Sequence, residues 1–182
     1  DSIVNVSSID FDSKNDDDLR KIARQIGQKR IVMLGEQSHG DGASFALKAR
    51  FIKFLHEQMD FNILVFEADF YSLYQASANN NQPIDWYQIA QENIYAFWAK
   101  APQVVPLWKY INQTQKSNNP MHVAGMDSRH IGTYAQTHLL ADLEGVLQRV
   151  FPEFIHRSNY PAFCEILSSL LLKEQETKKL YD

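Results

Sequence analysis

RIVMLGEQSHGDGASFALKARFIKFLHEQMDFNILVFE, running from Arg30 to Glu67, decides the fold. Arg30 to Leu34 is a short apolar run that stops at Gly35, which predicts a buried strand. Gly35 to Gly42 is dense in turn formers. From Ala43 to Met59 the apolar residues recur at helical spacing, with Phe45, Ala49, Ile52, Leu55 and Met59 on one stripe. Phe61 to Phe66 is a second apolar run and ends in Glu67. Strand, helix and strand within about 35 residues is the pattern of a right-handed βαβ unit with parallel strands.

Downstream, Asp69 to Ala78 predicts a helix and Asn79 to Pro83 a loop. Asp85 to Lys100 and Val104 to Gln115 read as two further helices, rich in Trp and Tyr. Asn118 to Pro120 breaks the chain, and Met121 to Ala124 predicts a third strand leading into Gly125-Met126-Asp127. From Ile131 the pattern is helical through Leu147, with Pro152 and Pro161 punctuating two more helical pieces. Upstream, Asp1 to Ser13 reads as an irregular, tethered arm. Asp16 to Asp18 suit the positive end of a helix, for which Gly27 is the stop.

The expected class is α/β, a parallel sheet of few strands flanked by many helices. Residues 1–13 form the arm, 30–127 the motif-bearing core and 131–182 a helical region. Three strands are few for a complete doubly wound sheet. The expectation is therefore either a single domain or the N-terminal part of a larger one.

Composition narrows the function. The chain has 182 residues, with 18 Lys and Arg against 22 Asp and Glu, a net charge of −4. At 45% hydrophobic and 12% aromatic residues it is too apolar for a disordered chain. One cysteine, Cys164, excludes an internal disulfide framework and a cysteine-built metal site. Mild acidity argues against a general nucleic-acid binder, which needs clustered cations. No apolar run is long enough for a membrane-spanning helix. A chain starting at Asp1 fits a cytoplasmic protein and one exported after signal-peptide removal equally.

All three predicted strands end in acidic or histidine-bearing loops: Glu36 and His39, Glu67 and Asp69, Asp127 and His130. In open parallel sheets the ligand crevice lies beyond the carboxyl ends of the strands. A histidine oriented by a carboxylate can take a proton from water. Glu36 and His39 are three residues apart across a glycine-flanked turn, so both can face one cavity. Glu67 follows an apolar strand and is expected to be poorly solvated. Glu36 and Asp41 are also suited to serving the N-terminus of the following helix.

Other signals are weaker. Gly35, Gly40 and Gly42 do not fit a dinucleotide fingerprint, and no Gly-Lys-Ser/Thr follows. Ser38 lies outside a G-x-S-x-G elbow. His56 lies on the apolar face of its helix and reads as an interior histidine, while His122, His138 and His156 default to structure. Cys164 reads as buried and inert. The aromatic residues from Trp86 to Tyr110 read mainly as core, with some available to line an apolar cleft.

The segment from Leu34 to Asp69 resembles the erythromycin esterase-like family. That family carries a GExxHG loop after a first strand, then a helix, then a strand closing in F-E. Here these are Gly35, Glu36, His39, Gly40, Phe66 and Glu67. Trp108 and Asn112 look like part of a helix of that family, and Gly125 to Asp127 like its G-x-D strand end. The resemblance covers roughly Ile31 to Asp127.

It implies that His39 is the general base activating water, assisted by Glu36 and Glu67, with no metal or other cofactor. The archetypal reaction opens a macrolide lactone, an antibiotic-resistance activity. The implied partner is a small-molecule ester or lactone. Asp69, Asp127 and His130 are candidate substrate-binding residues. Family members are considerably longer and draw further site residues from their second half.

Two other functions fit the same residues. One is a metal-dependent hydrolase or peptidase using Glu36, His39, Glu67 and Asp127, all acceptable ligands for a divalent ion. The other is a non-catalytic small-molecule-binding module with an incomplete site.

Overall fold

The computed structural model of the chain describes residues 3–36, 38–78 and 84–172. The predicted loop over 79–83 and the end of the predicted helical region, 173–182, lie outside the described residues. In chain order the elements are α1 (Asp17–Ile26), α2 (Gly42–Met59), β1 (Ile63–Asp69), α3 (Phe70–Ala78), α4 (Trp86–Asn93), α5 (Ala96–Ala99), α6 (Val105–Thr114), β2 (His122–Asp127), α7 (Thr133–Val150), α8 (Pro152–Ile155) and α9 (Tyr160–Leu171). The fold is α/β, with a parallel sheet of few strands and many helices.

β1 and β2 pair in parallel, Ile63 opposite His122 and Phe66 opposite Gly125. Successive side chains of a strand point to opposite faces. Leu64, Phe66 and Ala68 therefore turn inward together with Val123. There they meet Phe45 of α2, Trp86 and Ala90 of α4, and Leu107, Trp108 and Ile111 of α6. Phe66 stacks on Trp108 with ring centroids 5.1 Å apart. The other face carries Ile63, Val65 and Glu67 beside His122 and Met126, all exposed. Parallel sheets are ordinarily covered on both faces. Among the described residues this one is covered on one.

Gly125 marks a close approach of backbones. A Cβ there would stand 2.5 Å from the Ala68 carbonyl oxygen and 2.7 Å from that of Asp69. The ladder shifts register beside it, between Phe66 and Asp69. Gly132, before α7, is equally confined: a Cβ would collide with the Ser72 hydroxyl and lie 2.8 Å from Asn93 Oδ1.

The predicted first strand is corrected. Residues 31–34 are not part of a ladder among the described residues. Ile31 and Met33 are 79% and 88% exposed. Val32 and Leu34 are half-buried and pack against Leu19 of α1 and Phe51, Phe54 and Leu55 of α2. The run keeps the two-residue alternation of a strand. Alternation decides which side chains are buried, whereas a strand also needs another backbone beside it.

The predicted helix from Asp85 to Lys100 is two helices. Ile94 adopts an extended conformation after α4, and α5 starts afresh after Tyr95. No glycine or proline announces this break.

Arg50 ties the segment before α1 to α2. Arg50 of α2, 2% exposed, donates to the Ser8 and Asn15 carbonyl oxygens at 2.5 and 2.6 Å. It also grips Asp18 through both oxygens, at 2.9 and 3.0 Å. Asp18 in turn accepts from Ser7 N–H and Oγ. The Arg50 hydrogen bond holds the Asp18 carboxyl far below the ordinary carboxylate range. At the other end, α7 buries Ala135 alone, and α8 and α9 bury no residue. Cys164, expected to be buried, is half-buried on α9. No helix among the described residues is long and apolar enough to cross a membrane.

Candidate active site

The turn before α2 sorts its acids by task. Asp41 caps α2, accepting from Ala43 N–H at 3.0 Å and Ser44 Oγ at 2.5 Å. These bonds hold its carboxyl below the usual carboxylate range. Glu36 serves no helix end. Its Oε1 lies 2.6 Å from His39 Nδ1, and its Oε2 accepts from Lys48 Nζ at 2.5 Å. The carboxylate is nearly buried while His39 is 63% exposed. Glu36, paired with an ammonium, is an acceptor only. His39 therefore donates through Nδ1–H, and the neutral form of a ring so paired carries its lone pair on Nε2.

The imidazole is also held from its flank. It stacks on Phe97 of α5 at 4.7 Å and 22°. Phe97 stacks on Tyr95 at 5.5 Å and 6°. The guanidinium of Arg129 lies over the Tyr95 ring at 5.5 Å. The Arg129 fork is aimed by Asp127 at the end of β2, with Nη2 and Nε 2.7 and 2.9 Å from Oδ2. Those bonds lower the Asp127 pKa and raise that of Arg129, while burial raises that of Tyr95. His39, Glu67, Tyr95, Phe97 and Arg129 line one open cleft of about 210 Å³.

Glu67 differs from expectation. It lies on the open face of β1 and is exposed rather than poorly solvated. The apolar residues before it are themselves split between a buried and an open face. Glu67 and His39 line the same cleft, and the hydrogen-bond partner of His39 is Glu36.

Asp69 and His130 lie elsewhere. Asp69 is fully buried and accepts from Ser72 Oγ at 2.8 Å and from the backbone N–H groups of Tyr71, Ser72 and Gly132 at 3.0 to 3.1 Å. Those donors occupy both oxygens, so it ties α3 to the loop before α7. His130 Nδ1 lies 3.5 Å from Asp69, with its ring against Phe70 and Tyr71. Of the three expected substrate-binding residues, only Asp127 reaches the cleft, through Arg129. His56 is an interior residue, bonded to Tyr110 and the Asn119 carbonyl oxygen. Among the described residues no three His, Cys, Asp or Glu side chains converge as a metal-binding group.

Sequence reading missed Lys48 and Arg129. Lys48 left a signal: on a helical wheel it falls between Leu55 and Met59, a charge inside an apolar stripe. Its ammonium also lies 4.8 Å from the Trp98 ring centroid. Arg129 sits beside a carboxylate in Asp-Ser-Arg-His. Tyr95 and Phe97 belong to the aromatic stretch read as available to line a cleft, and which members do so follows from the unannounced break at Ile94.

With this geometry in hand, the chain can be set beside known proteins. No protein-family model matches it. It is 34% identical over 119 residues to a Bacillus subtilis (strain 168) protein named "Putative hydrolase YbfO". That match takes in 65% of this chain and 26% of that protein. The chain thus spans about a quarter of the length of the curated relative. A crystal structure of a Bacillus cereus protein superposes with a TM-score of 0.58 at 18% identity, over 91% of this chain and 38% of that one. The crystal structure of a succinoglycan biosynthesis protein gives 0.59 at 17% identity, over 88% and 40%. These two show a shared fold.

Proposed function

We propose that the protein is a hydrolase of the erythromycin esterase-like type, which directs water at an ester or lactone carbonyl with His39 as general base. The observation that supports this best is Glu36 bridging His39 and Lys48. A carboxylate fixed by an ammonium fixes the imidazole tautomer, and Nε2 is left free on a ring that lines the cleft. The hydrolase name of the Bacillus subtilis relative supports the same class.

In the proposed reaction a water in the cleft attacks the carbonyl carbon while Nε2 takes its proton. The imidazolium that forms is stabilised by the Glu36 carboxylate. The same proton then passes to the departing alkoxide, which leaves an acid, an alcohol and neutral His39. Glu67, on the cleft rim, is placed to orient the attacking water. A general base of this kind contributes ~10²–10⁴-fold.

Hydrolysis of p-nitrophenyl acetate and of a simple lactone tests the proposal. His39→Gln is expected to keep the circular-dichroism spectrum and lose turnover by that factor. Unchanged turnover in His39→Gln overturns it.

A further inference from the structure

We propose that Arg129 is a specificity-determining residue of this cleft, hydrogen-bonding an uncharged oxygen of the substrate at the end remote from His39. The site would then take elongated, oxygen-rich, uncharged esters in preference to short or carboxylated ones. The inference rests on the hydrolase proposal for His39 and adds a second recognition point to it.

Three observations support it. The first is distance. His39, Phe97, Tyr95 and Arg129 form one ladder, stacked at 4.7, 5.5 and 5.5 Å. Two aromatic rings stand between the base and the cation. Arg129 is therefore set apart from the carbonyl that a His39-activated water attacks, and the ring edges of Phe97 and Tyr95 offer an apolar wall along which a substrate can lie.

The second is the state of the guanidinium. Asp127 engages its Nε and Nη2 through a single oxygen. Among the described residues no hydrogen-bond partner occupies the Nη1 edge. Arg129 is 63% exposed, lines the cleft and is held in direction by Asp127 and Tyr95. An oriented fork with donors left over is built to receive an acceptor.

The third is charge. Both cations of the site are matched, Lys48 by Glu36 and Arg129 by Asp127. Glu67 lines the same cleft and forms no ion pair among the described residues. A carboxylate arriving at Arg129 would meet the fields of Asp127 and Glu67. A carbonyl, ether or hydroxyl oxygen takes the free donors without that repulsion.

Binding in the His39→Gln background tests this without turnover. The probes are p-nitrophenyl methyl suberate, whose far end is a neutral ester, p-nitrophenyl hydrogen suberate, whose far end is a carboxylate, and p-nitrophenyl decanoate, whose far end is alkyl. Methyl suberate is expected to bind about tenfold more tightly than decanoate, the effect of one hydrogen bond from a charged donor. It should also bind more tightly than hydrogen suberate. Adding Arg129→Gln should erase the preference over decanoate.

A preference that survives Arg129→Gln overturns the proposal. So does tighter binding of the carboxylate, equal binding of all three, or no binding. Failure of the hydrolase reading would show separately, as esterase turnover in the wild type that His39→Gln leaves intact.

Discussion

Lys48 Nζ reaches Glu36 Oε2 at 2.5 Å, so an ammonium on α2 fixes the carboxylate that fixes the imidazole. Lys48 touches nothing that reacts, and its effect must pass through Glu36. Lys48→Met is expected to lower kcat for ester hydrolysis roughly 10²-fold, the effect of a small misplacement of a reacting group. Lys48→Arg should restore most of it. Steady-state kinetics of the two variants check this, and a loss confined to KM would contradict it.

Glu36→Gln keeps the shape of the side chain and removes its charge. The amide can present its N–H₂ to His39 Nδ1 and favour the wrong tautomer. Turnover is expected to fall on the order of 10²–10⁴-fold, as when the orienting carboxylate of a catalytic triad becomes an amide. Thermal stability should change far less than turnover, which a melting curve recorded beside the kinetics will show.

Arg50 and Asp18 join the arm, α1 and α2 in one buried pair. Arg50→Met leaves Asp18 buried without its partner, and should cost about 3–5 kcal/mol in urea unfolding. The pair also sets an acid limit. Because the folded-state pKa of Asp18 is depressed, its contribution is fully present above the unfolded-state carboxylate pKa. It is lost as pH falls below that value and through the depressed folded one. Wild-type stability should therefore drop with acidification in a range where Asp18→Asn changes less.

Asp69 separates a structural carboxylate from a substrate-binding one. Asp69→Ala leaves Ser72 Oγ and three backbone N–H groups without their acceptor in the interior. An unsatisfied buried donor costs about 1–3 kcal/mol, so the variant should unfold at a clearly lower urea concentration. A normal unfolding midpoint would return Asp69 to the list of substrate-binding candidates.

The open face of the sheet should be visible in solution. Ile63, Val65 and Met126 are exposed together, and such a patch binds hydrophobic dyes. Ile63→Thr with Val65→Thr keeps β-branched residues on the strand and removes apolar surface. Dye fluorescence should fall, while stability moves by about 0.5 kcal/mol or less per site.

The sequence was most legible where one periodicity or one cap settled the matter. The stripe of Phe45, Ala49 and Ile52 gave α2, Asp41 gave its start, and the apolar runs ending in Glu67 and Asp127 gave β1 and β2. Where two backbones had to meet, it was silent. Ile31 to Leu34 has the composition of a strand and joins no ladder among the described residues, because pairing depends on a neighbour that composition does not name.

The candidate site divides the same way. Glu36 and His39 were visible because a three-residue turn brings them together locally. Phe97 and Arg129 reach them from residues far along the chain, by way of a helix break and a strand end.

Gly125 bears on all of this from outside the cleft. Its missing side chain lets β2 press against the Ala68 and Asp69 carbonyls, which fixes how far across the sheet Asp127 emerges two residues later. The aim of Arg129, and with it the length of molecule the cleft can measure, is thus inherited from a main-chain contact. A methyl group at position 125 would recalibrate the site without touching a single atom of its lining.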